Sequence, residues 1–376
     1  MILSQEHQML RDAVRLYARE KLAPNAATWD RDATFPKEAL KGLAAMGLYG
    51  VAIPEEWGGA GMDHTALALA LEEIAIGDGA TSTIVQVNNL AAGILLGYGT
   101  PAQQERYLKP LARGDMLGAF ALTEPHTGSD ASAIRTRAER SGDSYVLDGV
   151  KQFITSGKYA DVAVVFAVTD KDAGKKGISA FVVPTTTPGY VVARVEEKTG
   201  QHASDTAQIV LEGCRIPAAN LLGAVGEGYR IALANLESGR INVAAQSVGM
   251  AQSALDAALK YARERTTFGK PLIEHQAVNF RLADMATGIE AARQLYLHAA
   301  ALRDRGLPCL KEASMAKLFA SESAEKVCSD AIQIHGGYGY VADFPVERIW
   351  RDVRVTQIYE GASDIQRMVI GRDLAA

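Results

Sequence analysis

Apolar positions recur at helical spacing over the first and last thirds of the chain, and at strand spacing between them. Leu10, Val14 and Tyr17 form a stripe behind Ser4, which is placed to cap a helix that should end before Pro24. Thr100, Pro101 and Gln103 have the spacing of a capping box with proline in the first helical position. From about Ala119 to Gly223 the texture changes to short β-branched runs, at Val162 to Val168, Ile178 to Val183, Gly189 to Val195 and Ala207 to Leu211. Asp148-Gly149, between Tyr145-Val146-Leu147 and Val150, reads as a two-residue hairpin turn. The helical period returns after Glu227. Three stripes carry it: Ala244, Val248, Ala251, Leu255, Ala258, Ala262; then Val278, Leu282, Met285, Ile289, Ala292, Tyr296, Ala299; then Ala316, Ala320, Ala324, Val327, Ala331, Ile334, stopping at Gly336-Gly337.

The expected class is therefore α+β and multi-domain. A helical domain over 1–118 precedes a β-barrel or sandwich over 119–223. Residues 224–376 should form an antiparallel four-helix bundle, three long helices and a shorter fourth. No internal repeat interrupts this order. A chain of 376 residues, 48% hydrophobic, can fill the cores of two or three domains.

Charge and cysteine usage remove several function classes. A net charge of −5 argues against a nucleic-acid partner, which needs a clustered basic face. No apolar run approaches the roughly 18 residues of a membrane span. The polar stretch Met1 to Leu10 matches neither a secretory signal nor a transit peptide. Cys214, Cys309 and Cys328 are odd in number and far apart, which suggests reduced thiols and no metal site, and a cytoplasmic setting, or the mitochondrial matrix for a processed eukaryotic chain. No Gly-x-Gly-x-x-Gly follows a strand and no P-loop, His-Glu-x-x-His or Cys-x-x-Cys is present, so any redox cofactor must be held by the barrel-and-helix framework.

The densest chemistry lies at Ile358 to Arg367. Glu360 stands between Tyr359 and Gly361, ahead of a last helical stretch. A carboxylate with an apolar neighbour and a hinge suits a general base, because partial burial raises its pKa. Other blocks accompany it: Phe120 to Asp130, Tyr145 to Gly157, Arg265-Thr266-Thr267-Phe268-Gly269-Lys270 and Gln333-Ile334-His335-Gly336-Gly337-Tyr338-Gly339. In this order and spacing they resemble the acyl-CoA dehydrogenase family of flavoenzymes, over nearly the whole chain.

That resemblance implies FAD as cofactor and removal of an α-proton and a β-hydride from a saturated acyl-CoA, giving the trans-2-enoyl-CoA, with the hydride passing to flavin N5. It puts the base on Glu360, and the enolate donors on the backbone N–H of that glutamate and a ribityl hydroxyl of FAD. Some members, isovaleryl-CoA dehydrogenases among them, carry the base just before the arginine of a helix that here begins around Glu237-Ser238-Gly239-Arg240; in this chain that position is Gly239. By the same resemblance Phe120, Leu122, Thr123, Gly128 and Ser129 belong to the strand and loop at the pyrimidine end of the flavin. Phe153, Ile154 and Thr155 belong to its wall and N5 edge, with Phe153 where Trp is usual. Ala362, Ser363 and Asp364 also fall at the flavin, Ala362 replacing the usual Thr. Arg265, Thr267, Phe268, Gln276, Gln333, Gly336 and Gly337 match residues that serve the pyrophosphate and adenosine, largely from an adjacent subunit. Ser129, Glu237, Arg240, Tyr359 and Gly361 match the substrate contacts.

The family pattern also implies a homotetramer, a dimer of dimers, that passes electrons to electron-transfer flavoprotein. An acyl-CoA oxidase would expose its flavin to O2 and is usually longer beyond the position of Glu360. A non-catalytic DNA-associated relative would need a basic C-terminal region, whereas acidic and basic residues are balanced after Glu227. Gly239 resembles the short-chain members, and the expected substrate is a short-to-medium acyl-CoA, straight or branched.

Overall fold

The computed structural model describes residues 2–375; Met1 and Ala376, which the sequence reading counts in the outer domains, lie outside the described residues. Ser4 caps α1 (Gln5–Tyr17), its hydroxyl accepting the His7 N–H at 3.2 Å. The helix does not stop at Pro24. A π-turn over Ala18–Leu22 leads into α2 (Ala23–Arg31), where Pro24 sits in the first turn and loses no necessary hydrogen bond. After α3 (Lys37–Ala45) come α4 (His64–Gly77) and α5 (Gly79–Tyr98), both buried almost all round. The Thr100–Gln103 capping box forms with both of its hydrogen bonds and starts α6 (Pro101–Gln103), followed by α7 (Lys109–Arg113).

The middle of the chain is one sheet. Its strands are β1 (Gly118–Ala121), β2 (Arg137–Ser141), β3 (Ser144–Thr155), β4 (Val162–Val168), β5 (Ile178–Pro184), β6 (Tyr190–Val195), β7 (Thr206–Pro217) and β8 (Leu221–Leu222). Their order is β6-β7-β3-β2-β4-β5-β8, with β1 parallel to β4. On β4, Val162, Val164 and Phe166 face Ile94, Leu95 and Tyr107 of the first helices, and Ala163, Val165 and Ala167 face Leu147, Phe181 and Ile209. Both faces are covered, which is why β4 reads as an unbroken apolar run. The second of those cores contains only residues of the sheet region, so the sheet curls on itself. Asp148-Gly149 is not the hairpin turn. β3 runs straight through it with a register shift against β7 between Leu147 and Gly149, and the turn falls at Gly142-Asp143, between the paired Ser141 and Ser144. A bulge uses the same permissive glycine as a turn, and long-range pairing with β7 decided between them.

The last part opens with α8 (Gly228–Glu264), continues through the two-residue strands β9 (Thr266–Thr267) and β10 (Lys270–Pro271), then α9 (Gln276–Asp304) and α10 (Leu310–His335). The shorter fourth element is in fact two helices, α11 (Val346–Val353) and α12 (Ser363–Leu374), and the gap between them carries Glu360. The three predicted stripes all face inward, with Val278 half-buried at the edge. Ala68, Leu69 and Ala75 of α4 join the same cluster, so the two helical regions share one core beside the sheet. α4 and α8 approach so closely that a Cβ at Gly249 would fall on the Glu72 carbonyl oxygen, far inside van der Waals contact.

That contact sets a test of opposite signs. Gly249→Ala should destabilise the protein by about 1–3 kcal/mol in denaturant unfolding, because backbone must move to admit the methyl. Gly371→Ala, in α12 with open space around it, should stabilise it by roughly 0.5–1 kcal/mol.

Candidate active site

The segment between α11 and α12 makes a tight turn, with Glu360 at φ 53° and Gly361 at φ 89°. A left-handed conformation is uncommon for a glutamate and is maintained only where the surroundings over-determine it. The turn aims the carboxylate at α8. A Cβ placed on Gly239 would lie 2.5 Å from Glu360 Oε2 and 3.1 Å from its carboxyl carbon. The carboxylate thus occupies the hollow left by the missing side chain of Gly239. Oε2 is buried there and has no hydrogen-bond partner. The Glu360 N–H likewise donates to no acceptor among the described residues.

Two cations flank this carboxylate. Lys317 on α10 is fully buried, and its Nζ donates to the Gly361 carbonyl at 2.7 Å. Arg240 on α8 is buried too; its Nη1 donates to Ser314 Oγ at 3.2 Å, while its Nε is buried without a partner. Burial pushes the Glu360 pKa up to about 7, against the opposing pull of Lys317 and Arg240. Burial lowers Lys317 to about 8, with Glu360 working the other way. It lowers Arg240 as well, opposed by Glu360 and Glu237. A carboxylate near neutrality beside two under-satisfied donors has the electrostatics that acid–base chemistry requires.

The turn is held from behind. The Tyr359 hydroxyl donates to Gln246 Oε1, Gln246 Nε2 donates to Thr83 Oγ1, and Thr83 Oγ1 donates to Gln201 Oε1 at 2.7 Å. Gln201 in turn binds Asp352 through its backbone N–H and, at 3.1 Å, donates its side-chain amide to the Asp352 carbonyl. The loop after Gln201 reaches the sheet, where Ser156 N–H donates to the Asp205 carbonyl at 3.1 Å. A continuous buried path therefore links Glu360's neighbour to the end of β3, which carries Phe153, Ile154 and Thr155.

Around β3 the predicted residues divide. Phe153 has φ 59° and is 62% exposed, an apolar ring left uncovered beside a sheet. Ile154 is a core residue, so only its backbone faces outward chemistry. Leu122 is buried and its carbonyl accepts from Lys151 Nζ at 3.1 Å. Phe120 packs on Phe166, and Thr123 is half-buried with its carbonyl bonded to the Gln152 N–H. Gly128 and Ser129 are exposed on a loop closed by Glu124, whose carboxylate takes the N–H groups of Arg135 and Thr136 and the ammonium of Lys151. Glu237 accepts from Arg303 at 2.8 Å and from the Cys309 thiol at 3.2 Å.

The remaining candidates are elsewhere. Arg265 lies beyond the end of α8, about 39 Å from Gly239 at about 1.5 Å of rise per residue. Gln333, Gly336 and Gly337 lie at the end of α10, beside the same end of α8, where His335 stacks on Tyr261 at 4.4 Å. Phe268 is 97% exposed, and Arg265, Gln276, Gln333, Gly336 and Gly337 are exposed as well, with Thr267 half-buried against His275. One chain does not bring this group to Glu360.

Three family models match in order: the acyl-CoA dehydrogenase N-terminal domain at 4–115, the middle domain at 119–214 and the C-terminal domain at 226–375. The chain belongs to the acyl-CoA dehydrogenase family. It is 48% identical to the rat short-chain specific acyl-CoA dehydrogenase of mitochondria, covering 99% of this chain and 90% of that one. Its fold superposes on butyryl-CoA dehydrogenase from Megasphaera elsdenii with TM-score 0.98 at 41% identity, over 100% of each chain. A chain in a structure of the electron transferring flavoprotein of Acidaminococcus fermentans matches with TM-score 0.98 at 45% identity, over 100% of this chain and 99% of that one. As a member of the family the protein is an FAD-dependent oxidoreductase. The residues fit the cofactor. The Phe153 ring has no cover of its own, and the N-terminus of α12 offers free N–H groups beside a buried, unpartnered Ser363 hydroxyl.

Sequence reading missed Lys317, Ser314 and Gln246. The signal for Lys317 was present: it follows Ala313 by four and precedes Ala320 by three, so a lysine occupies an apolar stripe.

The shared hollow can be tested directly. Gly239→Ala should leave stability unchanged or raise it by up to about 1 kcal/mol, since alanine is the better residue inside a helix. The displaced tip of Glu360 should cost activity on acyl-CoA, roughly 10²-fold for a misplacement of this size.

Proposed function

We propose that this chain removes the α-proton and β-hydride of a short-chain saturated acyl-CoA, with Glu360 as the base. The observation that carries the reading is the buried, unpartnered Glu360 Oε2 in the Gly239 hollow. A base needs a lone pair that no protein donor occupies, and this oxygen has one. Bound FAD supplies the acceptor for the hydride. The Glu360 N–H, free of acceptors in the fold, suits the thioester oxygen, where charge gathers as the α-proton leaves. Arg240 feels the charge of both Glu360 and Glu237 and suits the polar arm of the substrate. Phe120, Thr123, Phe153, Thr155 and Ser363 would hold the flavin against this face. The names of the rat and Megasphaera relatives support a short acyl chain, and the Acidaminococcus structure supports electron-transfer flavoprotein as the electron acceptor.

The distant exposed group has no use within one chain and fits a flavin held by a second copy, which supports assembly into a dimer of dimers. Arg265→Ala should then weaken FAD retention while leaving Glu360 untouched. An FAD-saturated monomer in sedimentation would exclude the shared site.

Glu360→Gln is nearly isosteric, so it should fold and bind FAD yet lose activity by roughly 10²–10⁴-fold in a ferrocenium assay. Turnover within tenfold of wild type, with butyryl-CoA or octanoyl-CoA, would remove Glu360 from the role. The pH profile follows from the raised pKa. The base works only when ionised, so kcat/KM should rise with pH through about 7 and level off above it. Across acyl-CoAs of graded length and branching, kcat/KM should peak at short straight chains; a peak at long chains would contradict the substrate class.

A further inference from the structure

Lys317 is an unusual residue to find inside the bundle. Its neighbours on α10, Ala313, Ala316 and Ala320, are all fully buried, and so is Lys317 itself. An ammonium has three donors, and its one hydrogen bond goes to the Gly361 carbonyl at 2.7 Å. Burying a cation with donors unspent is costly unless a counter-charge is near. The counter-charge present is Glu360, whose own Oε2 has no hydrogen bond.

We infer that Lys317 is a positioning residue for the base, pinning the Glu360–Gly361 turn against the Gly239 hollow and keeping the carboxylate ionised. The inference rests on the reading of Glu360 as base. Gly361 carries the second left-handed φ of the turn, and its carbonyl also accepts from Gln366 Nε2 at 2.8 Å. The glutamine can hold the turn's shape, but only the lysine brings charge. The groups that face the carboxylate are few: Lys317 on α10, with Glu322 beyond it; Arg240 on α8, with Glu237 beyond it; and Tyr359 on its own segment, bonded away to Gln246. Arg240 is bonded to Ser314 and not to Lys317, so its anchor does not depend on the lysine.

The test compares FAD-loaded Lys317→Met and Lys317→Arg with wild type, reading kcat/KM against pH. With methionine the acid limb should move up by about 1 unit or more, the usual effect of losing a cation near a carboxylate. Arginine keeps the charge, so it should hold the limb near its wild-type position even if its bulk lowers the plateau. Difference infrared titration, with Glu360→Gln as the blank, should show the Glu360 carboxyl band persisting to higher pH in Lys317→Met, a readout independent of turnover. If methionine prevents folding, Lys317→Gln provides the same neutralisation with a polar head. A limb and band that stay at wild-type pH in a folded neutral variant would overturn the inference and leave the base reading intact. An active Glu360→Gln would instead overturn the base reading.

Discussion

The turn that carries Glu360 depends on an exclusion of volume: the Glu360 carboxylate and any side chain on residue 239 compete for the same few cubic ångströms. A methyl group there would sit 2.5 Å from Oε2, far inside van der Waals contact. The glycine has a thermodynamic cost, about 1 kcal/mol relative to alanine in the middle of a helix. That cost lies in α8, the longest helix, at a point where every other pressure favours a helix former. Its return is a buried pocket matched to a carboxylate that arrives from a turn more than a hundred residues later.

Placing a carboxylate in such a pocket raises a second problem, because burial alone would keep it protonated. Desolvation and two cations oppose each other there, and the balance leaves the group close to neutral pH. The same burial lowers the pKa values of Arg240 and Lys317, so each holds its proton less tightly. All three groups are therefore tuned by one dry environment. Removing one cation changes what the others experience, so the three titrate as a coupled set. The turn that carries Glu360 is strained, and the strain is carried by a satisfied polar network: Tyr359, Gln246, Thr83, Gln201 and Asp352 each use hydrogen-bonding groups within it. Such a network rigidifies when complete. Because it ends at the loop beside β3, the position of Glu360 is referenced to the sheet and the bundle together.

Much of this was legible in the chain itself, and what was not has identifiable causes. The stripes on α8, α9 and α10 are periodic over many turns, so helix type and buried face followed from spacing alone. The middle region announced strands, yet Asp148-Gly149 misled because local turn chemistry is identical to that of a bulge, and only pairing between β3 and β7 separates them. Pro24 misled in the same way: a π-turn shifted the register so that the proline entered a new first turn. Glu360 stood out because an aromatic residue, a glutamate and a glycine at a helix boundary form a local pattern. Lys317 did not, because its meaning comes from a carbonyl 44 positions away. Pattern reading that counts apolar residues passes over the one charged residue within the stripe, which is where buried chemistry is found.

The shared core explains why the site tolerates strain at all. Ala68, Leu69 and Ala75 of α4 pack into the same cluster as the three long helices, and Gly249 lets the α4 and α8 backbones meet without side chains between them. Small residues at such crossings give backbones few alternative separations. Leu and Ile would pack as many contacts but leave room for sliding, whereas a backbone-to-backbone contact fixes α8 in depth. Gly239 lies less than three turns from that contact on the same helix. A shift of α8 by a fraction of an ångström would open or close the hollow that receives Glu360. Close packing at Gly249 therefore sets the tolerance of the carboxylate's pocket, and the rigidity of the core becomes a property of the Glu360 turn.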